Sequence, residues 1–323
     1  MSEKEQTCTS FKTMIGGQAL IEGIMMLGPD KRAIVVRKPD GELEVKVEPR
    51  TAVKDKYPIL GVPIIRGVAA FLSSMVGGVK ALLYSAQFFP EDGEEDEEPS
   101  KLEAWLEKRL GSEKLMKAAV VFAAVLGIAF SIGLFFLLPT LLGTAVSLVT
   151  DSMLARNLAE NLLKIVIFVG YLALCSRMKD VRRTFSYHGA EHKTIFCYEK
   201  GLPLTVENVK EQPRHHPRCG TSFLFMVIFI SIIVSTVFFS IWPMTNPFAR
   251  FGAHLLMLPL IVGISYEFNR WAGRHDGPVT KILTAPGLWL QNFTTFEPDD
   301  SMMEVGIAAL QAVIPEEKGK DSW

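Results

Sequence analysis

AAVVFAAVLGIAFSIGLFFLLPTLL, residues 118–142, runs for 25 positions without a charged side chain. A helix needs roughly 20 such residues to cross about 30 Å of hydrocarbon. Three further apolar runs follow, at about 158–176, 222–242 and 251–268, and the one at 222–242 is also free of charge. Buried helices of a water-soluble core are the alternative reading, and the length of the charge-free runs weighs against it. The expected fold class is therefore an α-helical polytopic membrane protein with about four transmembrane helices.

Composition agrees. Hydrophobic residues make up 49% of the 323 positions, and the mean hydropathy is +0.24. The formal net charge of −1 conceals a segregation of charges outside the apolar runs, with no basic stripe of the kind that binds nucleic acid. Cys8, Cys175, Cys197 and Cys219 show no paired spacing and read as reduced thiols. The N-terminal MSEKEQTCTSFKTMIGG lacks an apolar core of signal-peptide length, so no cleavage is expected. Orientation follows from Lys and Arg. The segment before the first run is basic, the loop after it offers only Arg156, and nine basic residues lie between 177 and 220. Only Arg250 follows the third run, whereas Arg270, Arg274 and Lys281 follow the fourth. The alternation predicts a multi-pass protein of the cell membrane with both termini and the central loop cytoplasmic.

This reading divides the chain into an N-terminal cytoplasmic segment (1–56), an interfacial or re-entrant apolar helix (57–90) and an acidic linker (91–100). The first two membrane helices (101–176), a cytoplasmic loop (177–221), the last two membrane helices (222–268) and a cytoplasmic C-terminal segment (269–323) follow. The 57–90 stretch is placed at the interface because Arg66 and Lys80 interrupt it. Seven of the eight residues from Glu91 to Glu98 are acidic, which suits a solvated linker. The soluble parts are expected to be α+β. Residues 32–50 alternate about Asp40-Gly41, the pattern of a β-hairpin with a two-residue type I′ turn. SMMEVGIAALQAVI has helical periodicity, with Ser301 and Glu304 at capping-box spacing.

The central loop contains SYHGAEHKTIFCYEKG, in which His188, Glu191 and His192 form H-x-x-E-H. Residues four apart on a helix lie about 40° from each other around the axis, so both imidazoles can face one ion. Glu191 falls on the same side, where a carboxylate can act as a base. RHHPRCGTS adds His215, His216 and Cys219, and imidazole with thiolate points to zinc. Cys197 lies on the far side of the helix and is assigned to packing. Glu267 is either a further ligand or a partner for Arg270 on its own helix face. A closed site of His188, His192, His216 and Cys219 would be structural, and three ligands with Glu191 free would be catalytic. A metal-free polar network is the remaining alternative. Glu22, among apolar residues and glycines, is either paired with a buried base such as Arg66, the preferred reading, or used in the site. Glu160, Lys164 and His254 are too few, and the helices too unlike, to favour a transporter.

Taken together, GGQALIEGIMMLGP, PIIRGVAAF, YHGAEHKTIFCYE with LTVEN, HPRCGTSFLF and APGLWLQNFTTFEPDD resemble the YqhQ-like family. This is a bacterial family of multi-span membrane proteins of unknown function, often described as predicted metal-dependent enzymes. The matching positions are Gly17, Gln18, Glu22 and Gly23; Arg66 and Gly67; His188, Glu191 and His192; His216, Cys219 and Gly220. Phe296 departs from the pattern, where a basic residue is expected after the paired threonines. The functional expectation is a membrane-embedded chain with a cytoplasmic-side zinc site, serving a metal-dependent hydrolase or peptidase of unidentified substrate. The alternative is a scaffold, assembly factor or regulator whose metal is structural or absent. Its partner is the lipid bilayer, with homo-oligomerisation left open.

Overall fold

Residues 11–50, 57–89, 112–275, 277–317 and 319–322 are described by a computed structural model. Cys8 and the acidic linker 91–100 lie outside these residues. Strands β1 (Gly16–Leu20), β2 (Gly23–Leu27), β3 (Lys31–Arg37) and β4 (Leu43–Pro49) form one antiparallel sheet in the order β1-β2-β3-β4. The expected hairpin is β3–β4, but its connection is longer than a two-residue turn. Gly41 N–H donates to Lys38 O at 2.9 Å, Lys38 N–H donates to Glu42 O at 2.9 Å, and Gly41 has φ +87°. Pro39 explains the difference: its ring fixes φ near −65°, suiting the second position of a β-turn that ends in a left-handed glycine. Strands β1 and β2 were not expected. Every residue from Gly23 to Met26 is buried, so β2 carries no polar–apolar alternation to reveal it.

The helices are α1 (Ile65–Ala86), α2 (Ser112–Ile132), α3 (Leu138–Ala145), α4 (Met153–Cys175), α5 (Lys179–Glu199), α6 (Val206–Lys210), α7 (Gly220–Ile241), α8 (Pro247–Arg274), α9 (Pro278–Thr294) and α10 (Asp300–Gln311). A π-helical turn over Gly133–Leu137 joins α2 to α3. Among the described residues, five helical segments are long and apolar enough to cross a membrane: Ile65–Ala86, Val121–Ala145, Met153–Cys175, Gly220–Ile241 and Pro247–Arg274. That is one more than expected, because α1 runs unbroken past Lys80 for 22 residues.

The chain divides into two compact units: 1–89, 169–233 and 258–323 form the first, and 90–168 with 234–257 the second. In the first unit β2 and β3 are covered on both faces. Ile24, Met26, Ala33 and Val35 pack with Tyr187, Ala190 and Ile195 of α5 and with Met302, Met303, Val305 and Ala309 of α10. Leu20, Met25, Ile34 and Val36 pack on Ala81 of α1. The two ends of the chain also meet directly, through Thr13 Oγ1–H donating to Asp321 Oδ2 at 2.5 Å. At α10 the cap is Asp299, whose carboxylate accepts from Met302 N–H at 2.9 Å. Ser301 is not the cap: it donates to Asp299 Oδ1 at 2.6 Å, and Glu304 pairs with Arg37 at 2.6 Å.

Glycines show where this packing is closest. A Cβ on Gly189 of α5 would stand 2.0 Å from the Phe296 carbonyl oxygen, whereas one on Gly170 of α4 would meet nothing within 4 Å. Gly189→Ala should therefore destabilise by about 1–3 kcal/mol, through forced backbone movement. Gly170→Ala should be neutral or stabilising by up to about 1 kcal/mol. Thermal unfolding of the purified full chain in detergent checks both, and an unshifted Gly189→Ala transition would refute the close approach.

Candidate metal centre

Helix α5 carries H-x-x-E-H as the spacing predicts, and its position follows from the core. Tyr187, Ala190 and Cys197 turn one stripe of the helix into the apolar cluster. His188 and His192 lie about 100–140° further round from Tyr187. Their rings sit 4.4 Å apart between centroids. Cys219, in the residue before α7, brings its sulfur to this pair. One donor atom each from His188, His192 and Cys219 lies within 4.8 Å of the other two, with His188 Nε2 3.1 Å from Cys219 Sγ.

The hydrogen bonds around the two imidazoles fix which nitrogen is free. His188 Nδ1–H donates to Thr294 O at 2.8 Å, and His192 Nδ1–H donates to Arg214 O at 2.5 Å. Each Nε2 is thus left with a lone pair, the arrangement found in metal-ligating histidines. His192 Nε2 is buried and has no hydrogen-bond partner. Burial also pushes His192 down to about 4, which holds it in the neutral, ligating form. At Cys219 burial opposes the thiolate, but the His192 imidazole and the Thr221 amide and hydroxyl outweigh it, leaving the thiol below its ordinary value.

Glu191 is the fourth notable group. Gly17 N–H donates to its Oε1 at 2.9 Å, while Oε2 is buried without a partner. Burial pushes its carboxyl up to about 7, with His188 opposing that shift and Cys219 adding to it. A Cβ on Gly17 would stand 3.1 Å from the Glu191 carboxyl carbon and 2.6 Å from Met25 O, so β1 approaches this acid through a glycine.

Two expected ligands are engaged elsewhere. His216 stacks near His192, with centroids 5.6 Å apart, but its Nε2 lies 3.7 Å from Glu199 Oε2. Glu199 is also paired with Arg218. Burial opposes the Glu199 carboxylate, and His216 and Arg218 outweigh it, so its pKa falls below the usual range. Gln291 fixes His216 further, accepting from its backbone N–H and donating to its carbonyl, both at 2.8 Å. Glu267 accepts from Arg66 Nε at 2.6 Å and from Ile64 N–H at 3.2 Å, as a partner for Arg66 rather than Arg270. Glu22, expected to pair with Arg66, instead accepts from Arg183 Nη2 at 2.6 Å and from Tyr187 Oη at 3.1 Å. It stands at φ +49° in the β1–β2 turn, and these two bonds hold it there. His215, also considered from the sequence, is outside the cluster.

Gly17 lies in a block that matches the family, but nothing in the sequence marks it, Thr294 or Arg214 as a group that orients the site. All three act through backbone atoms, which leave no side-chain signature. Thr221, whose N–H donates to Cys219 Sγ at 3.4 Å, follows the cysteine within the CGTS block and was the one legible neighbour.

A family model described as "Protein of unknown function (DUF1385)" matches residues 62–316. The "Uncharacterized protein YqhQ" of Bacillus subtilis (strain 168) is 34% identical over 300 residues, covering 93% of this chain and 92% of that protein. No solved structure matches. The chain belongs to the YqhQ-like, DUF1385 family of proteins of unknown function.

Proposed function

We propose that this chain is a four-pass membrane protein that holds a zinc ion at His188, His192 and Cys219 on its cytoplasmic side, in a site built for metal-dependent hydrolysis. The observation that carries the metal is the pair of buried acceptors with no partner, His192 Nε2 and Glu191 Oε2, beside a thiol. Buried polar atoms without partners are costly, and a cation satisfies both the imidazole and the sulfur at once. With His216 held by Glu199, three protein donors remain. Three donors leave an open position, as catalytic zinc sites do. A zinc ion bound there would supply Lewis acidity to a substrate's carbonyl or phosphoryl group. Glu191, with one oxygen fixed by Gly17 and a pKa near neutrality, is the group suited to hold or release a proton. The burial of His192 and Cys219, with His188 only partly exposed, favours a second reading, a structural zinc in a membrane scaffold.

Membrane insertion is supported by side chains that water would not tolerate in such number. Phe122 is 69% exposed, Phe130 63% and Leu256 84%. The count of four crossings rests on parity. The sheet precedes α1, α5 lies between α4 and α7, and α10 follows α8, yet all three share one core. An even number of crossings must separate them, which α7 and α8 satisfy. Of α1, the α2–α3 segment and α4, only two can cross. α1 is tied at its start to Tyr266 and Glu267 and at its end to the sheet, so it is the helix that stays at the interface. The cytoplasmic placement of the sheet, α5 and α10 follows from the basic residues around them.

Three experiments follow. Metal analysis of the purified full chain should find about one zinc per chain, lost in the His188→Ala/His192→Ala double variant and kept in His216→Ala and Glu191→Gln. No metal in a folded, zinc-supplemented preparation would remove the metal reading. In the cobalt-substituted protein, azide should shift the visible bands if a coordination position is open; unmoved bands would assign a closed, structural site. Separately, alkaline phosphatase fused after residue 95 should be inactive and after residue 149 active. Activity at 95 would mean that α1 crosses.

A further inference from the structure

The second unit contains a polar cluster that the zinc reading does not use. Glu160 and Lys164 stand one turn apart on α4, and Arg250 and His254 one turn apart on α8. Glu160 Oε1 accepts from Thr140 Oγ1–H at 2.8 Å, lies 2.7 Å from His254 Nε2 and 3.4 Å from Lys164 Nζ. Its Oε2 accepts from Arg250 Nη2 at 2.7 Å. Arg250 Nη2 also donates to Asn157 Oδ1 at 2.9 Å. Arg156 joins through α3: it donates to Thr144 Oγ1 at 2.8 Å, and Thr144 in turn donates to Thr140 O at 2.7 Å. Gly143 lets α3 come this near, since a Cβ there would stand 2.9 Å from the Glu160 Cβ. The sequence shows these residues as scattered single charges on different runs; the fold collects them.

The cluster is out of balance in two respects. Arg250 and Glu160 are 1% exposed, Arg156 3% and Lys164 7%, so three buried cations face one buried carboxylate. Removing the proton from Lys164 would still leave two guanidinium groups against one acid. The donors are in excess as well. Arg250 Nε and Nη1, Arg156 Nε and His254 Nδ1 are buried with no hydrogen-bond partner. The arginine atoms can only donate. The Phe239 ring, 3.9 Å from the Arg250 guanidinium carbon, covers its face but accepts none of its N–H groups in the plane. An unpaired buried charge is far costlier than a paired one, so a site with surplus donors and surplus positive charge suits an acceptor that is also an anion.

We propose that Arg250, Arg156, Lys164 and His254, arranged around Glu160, form a buried binding site for an oxyanion of the phosphate class. Planar guanidinium donors suit such a group, and Glu160 holds Arg250 and His254 in place to receive it. A free phosphate and the phosphate of a lipid headgroup share this chemistry. The site lies wholly within the second unit and does not depend on the zinc reading.

The test uses the full chain in two arms. In uncharged detergent, equilibrium dialysis with radiolabelled inorganic phosphate measures saturable binding. From nanodiscs containing phosphatidylglycerol, native mass spectrometry measures retained phospholipid. One phosphate per chain in the first arm identifies a free oxyanion; one retained anionic lipid in the second identifies a headgroup. In either case Arg250→Gln should weaken binding by about tenfold or more, with Arg250→Lys restoring part of it. If Arg250→Gln does not fold, Arg156→Gln should show the same direction of loss. Absence of binding in both arms by the folded wild-type chain overturns the proposal, as does binding that is unchanged in both arginine variants.

Discussion

Ile24, Met26 and Val35 of the sheet share a core with Tyr187 and Ala190 of α5 and with Met303 and Ala309 of α10, and the rest of the first unit depends on that burial. Each of the larger aliphatic side chains among them contributes about 1.5–3 kcal/mol when removed from water. The three elements are far apart in the chain, so closing them together fixes the path of everything between. It sets the rotation of α5 about its axis, because only one stripe can face the sheet. That rotation in turn directs His188 and His192 away from the core and towards Cys219.

Polar groups in the molecule sort into two kinds by whether their pairing is complete. Glu22 with Arg183, Glu267 with Arg66, and Glu199 with Arg218 are closed pairs that pin elements to one another. The first two are partly exposed and add little stability, the third is largely buried, and all three fix geometry. Glu191, His192 and Arg250 are different, since each is buried and retains at least one atom with no partner. A folded chain rarely leaves such atoms in place without use, because each costs about 1–3 kcal/mol or more. The two incomplete clusters are opposite in character. The first offers lone pairs and a thiol, which suits a cation; the second offers N–H donors and positive charge, which suits an anion.

Much of the architecture was legible in the sequence because it is written in local pattern. The charge-free run 118–142, the H-x-x-E-H spacing on a helix and the alternation about Asp40-Gly41 each need only a few neighbouring residues to be recognised. The family, too, was legible, from the joint presence of short blocks spread along the chain. Where local pattern misled, the cause can be named. Strand β2 is buried on both faces and so shows no alternation, Pro39 lengthened the turn, and Asp299 displaced Ser301 as the cap.

What the sequence by itself determined, then, was which segments are helical and apolar and which residue types could carry chemistry. Tertiary structure alone decided the partners. Spacing could not show that His216 belongs to Glu199, that Glu267 belongs to Arg66, or that Glu22 belongs to Arg183. Nor could it show that Glu160, Lys164, Arg250 and His254 meet. The reason is physical. Helical and apolar periodicity are properties of contiguous backbone, whereas a hydrogen bond or ion pair depends on a distance of about 3 Å in space. That distance is set by how distant segments pack.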